Sequence, residues 1–150
     1  MNKKVFVTGA TGFTGSHLCR ILVDKGYSVS ALVRKSSKTH DLEKLGVKPV
    51  VGDLANLDSL NGALENIDTV FHVAAAYRQE GISKNQFWKV NVDGTGALLK
   101  FAKHSQVKRF VHCSTVGVQG EIKNPPAKES DPYQPGDHYQ ESKMEGENSL

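Results

Sequence analysis

Val5-Phe6-Val7-Thr8-Gly9-Ala10-Thr11-Gly12-Phe13-Thr14-Gly15 is the stretch whose reading decides the fold. Its first residues form a short apolar, β-branched run behind two lysines, the pattern of a buried parallel strand. The glycines follow at once. Leu18, Ile21 and Leu22 then share one face of a helix expected from about Thr14 to Lys25, with Gly26 as its stop. Strand, glycine turn and helix in this order suit an anion. Gly9 allows the tight turn, Gly12 lets backbone approach a pyrophosphate, and Gly15 lets the helix pack near the strand. Free amides at the helix start, with the helix dipole, favour phosphate charge. The spacing is GxxGxxG rather than GxGxxG. An ordinary strand-to-helix turn is the alternative, although three spaced glycines exceed what a turn needs.

Outward from this stretch the chain keeps alternating strand and helix. Strands are expected at Ser28 to Val33, Pro49 to Val51, Thr69 to Val73 and Arg109 to Ser114. Helices are expected at Asp41 to Leu45, closing on Gly46, and at Leu57 to Leu64. A long helix is expected from Asn85 to His104, and a last one from near His138, still running at Leu150. Residues 117 to 137 hold four of the five prolines and read as loop. Such alternation implies βαβ units with right-handed crossovers, an α/β class with a parallel sheet covered on both faces. The whole of 1–150 is expected to be one dinucleotide-binding domain. The open last helix suggests a piece of a longer protein, or one completed by a partner.

Composition narrows the function. A chain of 150 residues suits one domain with a real core. The formal net charge of +3 is too small to argue for nucleic acid or a membrane surface. The apolar run after Lys4 is too short for a signal core or a membrane span. Cys19 and Cys113, the two cysteines, are expected to be buried reduced thiols of a cytoplasmic protein. None of the six histidines falls into a metal-ligand spacing. His72 and His112 are placed on neighbouring strands, as core or crevice packing.

Two further segments carry chemistry. The end of the second strand, where an acid for an adenosine ribose is expected, reads Leu32-Val33-Arg34-Lys35-Ser36. No carboxylate there would repel a 2′-phosphate, and Arg34 could pair with one bidentately. NADP is therefore expected over NAD, a solvated basic turn being the alternative. Asp53, after the third strand, could accept from an adenine amine or act as a cap or turn residue. Tyr139 and Lys143 lie four apart, on one face of a helix. A neighbouring ammonium lowers the pKa of a phenol from its ordinary value near 10. Tyr139 could then exchange a proton with a carbinol or carbonyl oxygen. Ser114 and Thr115, at the end of the fifth strand, could hold that oxygen. A solvated helix face is the alternative for the Tyr139/Lys143 pair taken alone.

Taken in order, these motifs resemble the extended short-chain dehydrogenase/reductases, the NAD(P)-dependent epimerase/dehydratase group. Thr8 to Gly15 is similar to its cofactor loop, and Gly52-Asp53-Leu54 to its adenine-contacting segment. His72-Val73-Ala74-Ala75-Ala76 is similar to its stretch along the cofactor. Asn91-Val92-Asp93-Gly94-Thr95 resembles its NVxGT motif, whose Asn supports the active site. Cys113 to Gly120 resembles the strand-end segment, with the catalytic hydroxyl falling on Thr115. Tyr139-Gln140-Glu141-Ser142-Lys143 resembles its YxxxK. The resemblance covers the whole chain and implies a Rossmann-type doubly wound sheet. It implies cofactor contacts from Gly9, Thr11, Gly12, Phe13, Thr14, Gly15, Arg34, Asp53, Leu54, Ala74, Ala75, Tyr139 and Lys143. It implies catalytic roles for Thr115, Ser114, Tyr139, Lys143 and Asn91, a small-molecule substrate and a homodimer. Two departures matter. Such enzymes run to about twice this length, so the carboxy-terminal substrate-binding region is expected to be missing. Val116-Gly117 stand where dehydratases of the group carry Asp-Glu, which disfavours dehydration. Carbonyl reduction, alcohol oxidation and epimerisation remain. The strand end at Val33-Arg34 resembles dihydroflavonol reductase-like ketone reductases and some sugar epimerases. Tyr77 and Arg78 follow the fourth strand and could touch substrate, loop residues without a role being the alternative.

Overall fold

The computed structural model describes residues 3–77 and 81–150. Arg78 lies outside the described residues. The strands are β1 (Lys4–Thr8), β2 (Ser28–Val33), β3 (Lys48–Val51), β4 (Thr69–His72) and β5 (Arg109–His112). The main helices are α1 (Phe13–Asp24), α2 (His40–Lys44), α3 (Lys84–Trp88), α4 (Gly94–His104) and α5 (His138–Glu147). All strand pairs are parallel, in the order β3-β2-β1-β4-β5. This is the Rossmann-type arrangement expected from the sequence.

Alternation along β1 shows how one sheet serves two layers. Val5 and Val7 point into a core with Cys19 and Leu22 of α1 and Leu42 of α2. Phe6 points the other way, into a core with Leu60, Leu64, Val70 and Leu98. Gly26 and Gly46, with φ of +78° and +83°, end α1 and α2 as their positions in the sequence suggest.

Several expected elements differ. The helix from Leu57 to Leu64 is only a 3-10 turn over Leu57–Leu60. Gly62, inside the expected span, has φ of +74°, which a right-handed helix cannot contain. The helix from Asn85 to His104 is not one α-helix. Lys89–Asp93 forms a π-helical segment between α3 and α4, a form common at functional sites. β4 and β5 stop at His72 and His112, short of Val73 and Ser114, with one last backbone bond from the Cys113 amide to the His72 carbonyl at 2.9 Å. α5 ends at Glu147, and turns formed by Asn148, Ser149 and Leu150 follow it. Cys19 is buried as expected, but Cys113 is exposed, since it lies just past the end of an edge strand. None of the described helices is long and apolar enough to cross a membrane.

Candidate active site

β1 is followed in sequence by its neighbour on one side, while β4 lies on its other side, so the strand order reverses between them. A ligand crevice is expected at the carboxyl ends there. The structure has a cleft of about 990 Å³ at that place. Gly9 crosses its floor with φ of +73°, and a Cβ added there would lie 2.7 Å from the Ala74 amide nitrogen. A Cβ on Gly15 would run into the Gly9 carbonyl. The loop can therefore lie this close to β4 only as glycine. Thr11, Gly12, Phe13 and Thr14 line the same end. Gly12 is the N-cap of α1, with no side-chain cap and no acidic residue in the first turn. The first amides of α1 are thus left for an outside acceptor, the donor set that a diphosphate needs.

Arg34 and Ser37 line the cleft at the tip of β2. The Arg34 amide donates to Ser37 Oγ at 3.1 Å, and the Ser37 amide to the Arg34 carbonyl at 2.8 Å. This tight turn leaves the guanidinium exposed. Asp53 and Leu54 form the adjoining wall. Asp53 Oδ1 accepts from the Ala55 amide at 2.9 Å, so the carboxylate shapes its own turn while lining the cleft. Ala74 and Ala75 form the opposite wall, and Tyr77 continues it.

Behind that wall lies a buried polar chain. The Ala74 amide donates to Thr8 Oγ1 at 3.1 Å. The same Thr8 hydroxyl lies 2.7 Å from His72 Nδ1, and His72 Nε2 lies 2.9 Å from Thr95 Oγ1, so both ring nitrogens have a hydroxyl partner. Burial first, then the nearby His112 and Lys143, pushes the His72 pKa down to about 3, so its ring stays neutral. His112 pairs with His72 across β4 and β5, ring centroids 5.2 Å apart. Asn91, in the π-helical segment, accepts from the Ala76 amide at 2.7 Å. Its Nδ2 donates to the Ala76 carbonyl at 3.0 Å and to Ser142 Oγ at 2.9 Å. The Ser142 hydroxyl donates to the Tyr139 carbonyl at 2.8 Å. Gly146 permits this, because a Cβ there would lie 2.5 Å from the Asn91 carbonyl. One buried amide thus ties the cleft wall to the helix carrying Tyr139 and Lys143.

The Tyr139 ring meets Tyr77 edge-on at 5.0 Å and Phe87 at 6.2 Å. Tyr139, Lys143, Ser114 and Thr115 are not among the described residues that line the cleft; Tyr77 joins it to Tyr139. Thr115 Oγ1 accepts from the Gly117 amide at 3.1 Å, capping a short 3-10 turn. Ser114 Oγ is buried and without a hydrogen-bond partner. Lys143, 2% exposed, donates from Nζ to the Cys113 carbonyl at 2.8 Å and lies 3.3 Å from His112 Nε2. Burial is the main cause that lowers its pKa below the usual lysine value. Among the described residues no group of His, Cys, Asp and Glu is arranged for a metal ion.

A glycine loop under an uncapped helix, a cleft at the strand switch and a Tyr-Lys helix tied to it through one Asn agree with one family. The family profile of the NAD dependent epimerase/dehydratase family matches residues 5–150. The chain belongs to this family. Sterol demethylase protein B of Methylococcus capsulatus is 34% identical over 149 residues, 96% of this chain and 45% of that protein. A putative dihydroflavonol 4-reductase of Synechocystis is 40% identical over 119 residues, 77% of this chain and 34% of that protein. The chain spans less than half the length of these relatives. Among solved structures, a short-chain dehydrogenase/reductase superfamily protein of Agrobacterium tumefaciens with bound NAD superposes with a TM-score of 0.85. It is 28% identical, over 97% of this chain and 43% of that one.

For this family member, sequence reasoning missed several residues that the fold brings to the site. Ser37, Gln86 and Lys89 line the cleft, yet a serine in a basic turn and polar residues on a helix give no local signal. Ser142 is fully buried. Its place three residues after Tyr139, on the same helix face, was the available hint. From sequence His112 reads only as packing, and its approach to Lys143 depends on where the fold sets α5, against the π-helical segment and the 3-10 turn that follows β5.

Proposed function

We propose that the protein is an oxidoreductase or epimerase of this family that binds NADP, with NAD as the alternative. It would act on a carbonyl or alcohol of the ketone or nucleotide-sugar class by hydride transfer, with Tyr139 as acid/base. The observation that carries this is a single cleft with the glycine loop at one end and Tyr77, packed on Tyr139, at the other. The family description and the NAD-bound relative support the cofactor class. The reductase relative supports carbonyl chemistry.

Gly9, Thr11, Gly12, Phe13, Thr14 and Gly15 would hold the diphosphate, Asp53 and Leu54 the adenine, and Ala74 and Ala75 the middle of the dinucleotide. Arg34 would take the 2′-phosphate. When bound, the nicotinamide supplies or accepts the hydride. Tyr139 Oη gives its proton to a carbonyl oxygen in reduction and takes one from the hydroxyl in oxidation. The Lys143 ammonium would favour the phenolate and would bond to the ribose. Thr115 spends a lone pair on Gly117, leaving its proton for the substrate oxygen beside Ser114. Asn91 sets the height of α5 against the cleft wall. Val116 and Gly117, in place of an acidic pair, speak against dehydration. A homodimer is proposed from the family resemblance.

Calorimetric titration with NADP and NAD tests the cofactor. Arg34→Ala is expected to weaken NADP by about tenfold or more, the worth of a charge-assisted pair, and to leave NAD unchanged. Equal loss of both would refute the assignment of Arg34. Single-turnover hydride exchange between labelled cofactor and a ketone panel tests the chemistry, and undiminished exchange by Tyr139→Phe would sink it. A second reading, dinucleotide binding without turnover by this chain alone, is favoured by its span of under half of its relatives. Steady turnover by the 150-residue chain would exclude it.

A further inference from the structure

Two buried polar atoms at the carboxyl end of β5 have no hydrogen-bond partner: His112 Nδ1, on the last strand residue, and Ser114 Oγ, two residues on. Between them lies Cys113, whose carbonyl accepts from Lys143. The Lys143 ammonium has three donors and no lone pair. His112 Nε2, 3.3 Å from Nζ, can therefore meet it favourably only as an acceptor. The imidazole proton then belongs on Nδ1, the atom left unpartnered.

We propose that His112 is a positioning residue for Lys143. Its neutral ring, with the lone pair on Nε2, and the Cys113 carbonyl take two of the three ammonium donors. One donor remains for the groups that Lys143 serves. Both holding groups lie at the carboxyl end of β5, so the strand fixes Nζ more firmly than the four-carbon lysine stem could. The surrounding charges agree. Burial, with Lys143 second, holds His112 down at about 4, and Glu147 opposes this only in part. His72, packed on the other side of the ring, is neutral for the same reason. Glu147 and Cys113 act on Lys143 to favour its charged form, against the larger effect of burial.

The inference rests on Lys143 serving Tyr139 and the ribose as proposed above, but its test needs no turnover. Long-range ¹⁵N–¹H correlation of the chain at pH 7 reads the His112 tautomer directly. The expected result is a protonated Nδ1 and a bare Nε2; a proton on Nε2, or a doubly protonated ring, would overturn the proposal. In the same chain, ¹³Cε-lysine titration follows Lys143. His112→Leu, which removes the acceptor, is expected to lower the Lys143 midpoint by about one pKa unit. His112→Gln, whose amide oxygen can accept, is expected to restore most of it. A midpoint unmoved by Leu, or equal shifts in Leu and Gln, would refute the role. Failed hydride exchange with the expected tautomer would instead count against the proposed function.

Discussion

Asn91 is the residue on which the joint between the cleft wall and the helix carrying Tyr139 and Lys143 depends, and its removal has a calculable cost. Asn91→Ala deletes three hydrogen bonds, two with Ala76 and one with Ser142. The Ala76 amide loses its acceptor, and a stranded donor of this kind costs about 1–3 kcal/mol. Ala76 is half-buried, so water can reach it and the lower part of that range applies. The Ala76 carbonyl is left in the same state, while Ser142 keeps its bond to the Tyr139 carbonyl. Together the losses come to about 3 kcal/mol, a large share of the ~5–15 kcal/mol that holds a domain folded. For a chain of 150 residues that lowers Tm by about 6–12 °C. Thermal melting followed by circular dichroism measures this. The pairwise part is tested by a double-mutant cycle with Ser142→Ala, expected to show coupling of about 0.5 kcal/mol or more because the two side chains touch. A drop in Tm under about 2 °C, or strict additivity with Ser142→Ala, would refute the reasoning that this amide ties the helix to the wall.

Gly9→Ala should cost more than Gly26→Ala by urea melting. Both positions have positive φ, but Cβ at 9 meets the Ala74 backbone and at 26 meets nothing within 4 Å. The left-handed penalty alone is about 1 kcal/mol, so equal losses would show that the β4 backbone yields. Stability should also fall on acidification. His72 gains its proton below about pH 6.5 when unfolded but only near 3 when folded. Its contribution is therefore whole above 6.5 and lost as pH falls towards 3, by about 1.4 kcal/mol per unit in that window. Urea melts at pH 7.5 and 5.0 would show this; His112, held at about 4, adds a similar slope, so His72→Gln, which cannot titrate, should remove about half of the dependence, and an unchanged slope would sink the assignment. Iodoacetamide should label Cys113 in the native chain and spare Cys19, which is buried with its pKa raised to about 11. Equal labelling rates would contradict the placement of the two thiols.

Local pattern was enough for most elements. The run Val5-Phe6-Val7 and the glycines after it need only strand burial and backbone sterics to be read, and both act within a few residues. The same holds for Ser28–Val33, whose strand matches its expected bounds, and for the stops at Gly26 and Gly46. The glycine loop, Arg34, Asp53, Leu54, Ala74 and Ala75 meet in one cleft because each sits at a strand end, and parallel strands bring their ends together. Where local pattern erred, the deciding force came from elsewhere in the chain. Leu57, Leu60 and Leu64 are spaced as in a helix, but Gly62 turns the backbone away between the last two. The periodicity from Asn85 to His104 is unbroken in sequence. It is interrupted at Lys89–Asp93, where Asn91 faces both Ala76 and Ser142.

The sequence by itself determined the alternating α/β layers, the glycine loop between β1 and α1 and the carboxylate-free tip of β2, since residue type and spacing dictate these locally. Tertiary structure alone decided the rest: that Lys143 reaches the Cys113 carbonyl and His112, that Thr8, His72 and Thr95 form one buried chain, and that Cys113 is exposed. Those partners lie between 23 and 64 residues apart along the chain. Short-range preferences have no hold over such distances; only the packing of α4 and α5 against the sheet ends brings the groups within bonding range.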